Sequence, residues 1–146
     1  MKTTYCAIIA GGSESFRTHL KKILKMVEKE SNDFSLKISE VLSMYELEKN
    51  FLYQPDMVFI DSSFVIESSQ RLSQAWKKIN FDCAFALLLS DNNAPELKNV
   101  ILEMEKHKSL PTEIHILKNN YPDELIMRVI LRMIEFGVVQ KNMAVV

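Results

Sequence analysis

The chain has 146 residues, 47% of them hydrophobic, which is enough for one sizeable core and too few for two comfortable domains, so residues 1–146 are expected to form a single domain. Its formal net charge of -1 supplies no basic field for phosphate backbones or anionic lipids, and nucleic acid and membrane are excluded as expected partners. No apolar run reaches the roughly 18 residues of a spanning helix, and Met1 to Tyr5 lack the features of an export signal, so a cytoplasmic location is expected.

In chain order, Tyr5 to Ala10 is a short apolar run of strand length, and Gly11-Gly12-Ser13 breaks it before a helix. Phe16, Leu20, Ile23, Leu24 and Val27 recur at helical spacing and define an amphipathic face. Phe34, Leu36 and Ile38 alternate with Ser35 and Lys37, the pattern of a half-exposed edge strand that runs to Val41. Ser43 with Glu46 three residues on is a capping box, opening a short helix with Met44, Leu47 and Phe51 inside and Pro55 beyond it.

Met57-Val58-Phe59-Ile60 is a buried parallel strand by its continuous apolarity, and it stops on Asp61. A Ser-rich loop is expected after Asp61, then a helix with Leu72, Ala75, Trp76 and Ile79 inside. Ala84 to Leu89 is the most continuous apolar strand and ends on Ser90-Asp91. Asn93 with Glu96 makes a second capping box before Leu97, Val100, Ile101 and Met104, and Ile114 to Lys118 forms the last strand. Pro122-Asp123 opens a final helix whose stripe of Leu125, Ile126, Val129, Ile130 and Met133 is widened by Leu131, Ile134 and Phe136. Cys6 and Cys83 have neither zinc nor redox-pair spacing and read as two buried thiols.

Five strands alternating with five helices predict an α/β, doubly wound (βα)5 three-layer sandwich, of the flavodoxin-like or CheY-like type, with a parallel sheet. The expected strand order is 2-1-3-4-5, because the alternating strand from Phe34 belongs at an edge. Chemistry in such sheets gathers past the carboxyl ends of the strands, where Asp61, Ser90 and Lys118 end the third, fourth and fifth.

An acid, a hydroxyl and a lysine in that order at those strand ends resemble the response-regulator receiver family, the CheY-like phosphoacceptor domains of two-component signalling. The resemblance covers nearly the whole chain, including Arg17 at the start of the first helix and the Pro-Asp lead-in to the third strand. It implies that Asp61 is the phosphoacceptor, that Ser90 binds a phosphoryl oxygen, and that Lys118 pairs with the phosphoryl charge. His115, three residues before Lys118, matches the position of the family's aromatic switch.

The resemblance also implies a histidine kinase or other signalling protein as partner and no catalysis of the chain's own. Where the family has two acids that hold Mg2+, this chain has Gly11 and Gly12, so Mg2+ binding is expected to be weak, other cofactors are not expected, and the chain reads as a divergent or pseudo-receiver. Acids restored at positions 11 and 12 are expected to tighten Mg2+; in the unaltered chain Glu14 and Asp91 read as solvated loop acids, and tight Mg2+ binding there would mean that one of them has taken the ligand role. Gly11-Gly12-Ser13 offers a second reading as a phosphate cradle at a helix N-terminus. A homodimer or partner contact is expected through the last two helices, with Met127, Leu131 and Phe136 as exposed apolar anchors. The alternative function is a small α/β enzyme or nucleotide-binding protein using the same strand ends.

Overall fold

In the computed structural model, residues 3–77, 83–89, 95, 98–99, 102 and 113–145 are described. Strand β1 (Thr3–Ala10) leads into α1 (Glu14–Glu30), β2 (Phe34–Val41), α2 (Met44–Phe51) and β3 (Met57–Asp61). Helices α3 (Ser62–Glu67) and α4 (Ser69–Lys77) follow, then β4 (Ala84–Leu89), β5 (Glu113–Lys118) and the final helix α5 (Asp123–Val145). The second capping box, with Ser90, Asp91, Ile79 and most of the helix expected between β4 and β5, lies outside the described residues; Pro95, Lys98, Asn99 and Leu102 are helical.

All strand pairs are parallel and the order is β2-β1-β3-β4-β5, the order expected from the sequence. Met57 to Ile60 and Ala84 to Leu89 are buried at every position because helices cover both faces, which is why these strands read as unbroken apolar runs.

Two clusters fill the space on either side of the sheet. On one face Leu20, Ile23, Leu24 and Val27 of α1 and Ile126, Ile130, Met133 and Ile134 of α5 pack on Ile9, Phe59, Leu88 and Leu117. On the other, Met44, Leu47 and Phe51 of α2, Val65 of α3, and Leu72 and Trp76 of α4 pack on Val58, Ile60, Phe85 and Leu87. Trp76 anchors the second cluster edge-to-face against both Phe51 (5.6 Å) and Phe85 (5.3 Å).

Helix starts follow their caps. Ser13 accepts from the Phe16 N–H at 3.1 Å, and Ser43 accepts from the Glu46 N–H at 3.1 Å while its hydroxyl donates to the Glu46 carboxylate. Two expectations are corrected. The residues after Asp61 are the helix α3 and not a loop, because Asp61 caps them and Val65 is fully buried. Cys83 is buried, but Cys6 is only half-buried, on a stretch of sheet that α2 is too short to cover. Among the described residues no helix is long and apolar enough to cross a membrane.

Candidate functional site

The carboxyl edge of the sheet is built first from the turn after β1. Gly11 and Gly12 both take left-handed backbone, with φ of 73° and 84°, where a side chain is strained. The Gly11 N–H donates to the Val41 carbonyl at 3.0 Å, tying the turn to the end of β2. Arg17, one turn into α1, donates to the Gly12 carbonyl and stands 3.6 Å from the Glu40 carboxylate, which Lys21 also approaches at 3.3 Å. With its side chain only 14% exposed, Arg17 fastens the glycine turn to the edge strand.

Asp61 ends β3 in extended backbone and caps α3. Its Oδ2 accepts from the Ser63 N–H at 3.0 Å and from the Ser63 hydroxyl. The cap turns the chain so that Phe64 lies against Gly11, where an added Cβ would come within 2.9 Å of the ring atom Cδ2. A Cβ on Gly12 would meet the Asp61 Oδ1 at 3.5 Å. Acids at positions 11 and 12 therefore cannot simply be restored, since the first would displace Phe64 and both would sit on left-handed backbone.

The strand register sets Asp61 beside Leu88, Leu88 beside Leu117, and Leu89 beside Lys118, so Asp61 and Lys118 share one sheet edge with β4 between them. Alternation along the strands gives them different faces. Asp61 continues the series of Met57 and Phe59 toward α1 and α5, whereas Lys118 continues that of Ile114, which packs against the cluster under α2 and α4. Asp61 is half-buried, Lys118 is exposed, and among the described residues no ion pair joins them. Ser90 lies outside the described residues. His115 is half-buried, opposite Ala86 in the register, and shares the Leu117 face of β5.

A Mg2+ ion is what the resemblance to receivers asks of this edge, and the described residues, which do not include Asp91, do not by themselves assemble a site for it. Among the described residues no three His, Cys, Asp or Glu side chains gather as a metal site would need, Glu14 is exposed at the start of α1, and an oxygen of Asp61 is occupied by its capping bonds. Of the donors a phosphate cradle at the glycine turn would use, the Gly11 N–H is taken by the Val41 carbonyl, and the Ser13 oxygen accepts from the Phe16 N–H. Phe64 and the fastening role of Arg17 are what sequence reasoning missed. The one local signal for the first was an Asp followed by Ser-Ser-Phe-Val, a cap and an apolar pair at helical start.

No protein-family model and no curated protein matches the chain. Solved structures do. The signal receiver domain of an HD domain-containing protein from Pseudomonas fluorescens Pf-5 superposes with a TM-score of 0.65 at 10% identity, covering 95% of this chain and 99% of that one. The N-terminal signal receiver domain of a two-component system response regulator from Bacteroides fragilis gives 0.59 at 13% identity, over 90% and 97% of the two chains. The Francisella novicida lysine decarboxylase LdcF gives 0.60 at 11% identity, where 94% of this chain matches 18% of that one. At such identities the likeness is one of fold: the chain has a CheY-like receiver fold.

Proposed function

We propose that this chain is a receiver-like module of two-component signalling that works by contact with a histidine kinase or another signalling protein, without catalysis of its own and without Mg2+-dependent phosphoryl transfer to Asp61. The observation that carries the reading is the packing of Phe64 against Gly11 beside an Asp61 that caps α3. An acyl phosphate needs a free carboxylate oxygen and positive charge beside it to offset the incoming dianion. The Ser63 N–H and hydroxyl both hold Oδ2 of Asp61, leaving Oδ1 outside the cap, and Lys118 makes no ion pair with the carboxylate among the described residues to offset a dianion there. The receiver likeness supplies the signalling class, and the altered edge argues that the conformation read by a partner is fixed by packing.

Intact-mass measurement after incubation with acetyl phosphate and Mg2+ tests the proposal, with Asp61→Asn alongside. The expected result is the same mass profile for both proteins. A phosphoryl adduct on the unaltered chain that is lost in Asp61→Asn would return Asp61 to the role of phosphoacceptor.

A further inference from the structure

The side of the sheet facing α2 carries a feature that a three-layer core does not need. On β2, Phe34, Leu36 and Ile38 point toward α1 and are apolar, as packing demands. The opposite face of the same two strands carries polar pairs: Thr4 beside Ser35, with their hydroxyls 3.0 Å apart, then Cys6 beside Lys37, then Ile8 beside Ser39. Helix α2 should cover this face, but its eight residues reach only about 12 Å. It shields Ile8, Ala10 and Val41 and leaves the rest uncovered.

After α2 the chain folds back through Gln54, whose φ is 53°, and reaches Asp56, the residue before β3. Asp56 is clamped to β1 twice: its N–H donates to the Cys6 carbonyl at 2.8 Å, and its carboxylate accepts from the Cys6 N–H at 2.8 Å. The returning segment thus forms a wall over the polar sheet face. Between wall and floor lies a cleft of about 150 Å³, whose chemistry-bearing lining is Cys6, Lys37, Ser39, Asn50 and Tyr53.

We propose that this cleft binds a small anion bearing a carboxylate or phosphate group. Lys37 is exposed and has no ion pair among the described residues, and the Ser39 hydroxyl has no hydrogen bond among them. The Asp56 carboxylate accepts from the Cys6 backbone N–H. Ammonium, hydroxyl and phenol groups therefore line the cleft with donors to spare, while the Asn50 amide spends one N–H on the Glu46 carbonyl at 2.8 Å and keeps the other, and the matching ligand is one rich in acceptors and negative. The volume equals that of about five waters at ~30 Å³ each, the scale of phosphate or a short dicarboxylate. The site is independent of Asp61, which lies at the carboxyl edge of the sheet.

Cys6 provides the readout, because Cys83 is 1% exposed and the chain has two cysteines. Alkylation of Cys6 by iodoacetamide would be followed by mass in inorganic phosphate, in malonate and in chloride of equal ionic strength. Phosphate or malonate should slow the reaction about tenfold once it exceeds its Kd by about tenfold, chloride should not, and Lys37→Gln should abolish the protection. Whichever anion protects at lower concentration identifies the headgroup. Calorimetric titration of Cys6→Ser with the same two anions repeats the test without the thiol. No heat and no protection from either anion, or protection unchanged in Lys37→Gln, would overturn the site.

Discussion

The Asp61 carboxylate accepts from the Ser63 N–H at 3.0 Å, and that bond satisfies one of the four N–H groups that open any helix. A cap of this kind is worth about 1 kcal/mol, and Asn serves nearly as well as Asp at the position, apart from the few tenths that a negative charge adds at a helix N-terminus. Asp61→Ala should therefore lower stability by about 1 kcal/mol in urea unfolding, and Asp61→Asn by less than half as much. Equal losses would mean that the charge, and not the capping geometry, matters there. The acid itself was visible in the sequence because four apolar residues stop on it. Its use was not, since the packing of Phe64 on Gly11 joins residues remote in sequence and depends on how the strands pair.

Among the elements, the central strands and the capped helices were legible because their signals are local: an unbroken apolar run covered on both faces, or a serine whose hydroxyl takes the first free N–H. Helix α3 was hidden by Ser62 and Ser63, hydroxyl residues that favour turns until a cap and a buried Val65 outweigh them. The short reach of α2, which leaves Cys6 half-buried, was equally hidden, because a helix end says nothing about how much sheet lies beneath it. Helix α1 carries a testable imbalance: Lys22, Lys25 and Lys29 are exposed at spacings of three and four residues, with no ion pair among the described residues. Like charges so placed repel, and Lys25→Glu would replace two repulsions by two attractions of about 0.2–0.5 kcal/mol each. The variant should be about 0.8–2 kcal/mol more stable in dilute buffer, with the gain shrinking in high salt as screening grows. A loss of stability would show that these lysines already have favourable surroundings.

At the scale of the molecule, the order β2-β1-β3-β4-β5 followed from placing the one alternating strand at an edge, and the two clusters then account for the inner faces of α1, α2, α4 and α5. The apolar width of α5 was harder to apportion between core and surface. Its 23 residues span about 34 Å against about 25 Å for α1. Of the three expected anchors only Leu131 is exposed, at 44%; Met127 and Phe136 are partly buried against the first cluster, which removes them as free surface. Two neighbours on this helix therefore divide the roles of core and contact. Ile130 is fully buried, and Ile130→Ala should cost about 2–5 kcal/mol through lost burial and the cavity left behind. Leu131→Glu should leave stability within about 0.5 kcal/mol, as surface changes do, while weakening any association that uses α5. Urea unfolding and sedimentation of the two variants separate these effects, and a cost above about 2 kcal/mol for Leu131→Glu would assign that side chain to the core and move the contact surface elsewhere.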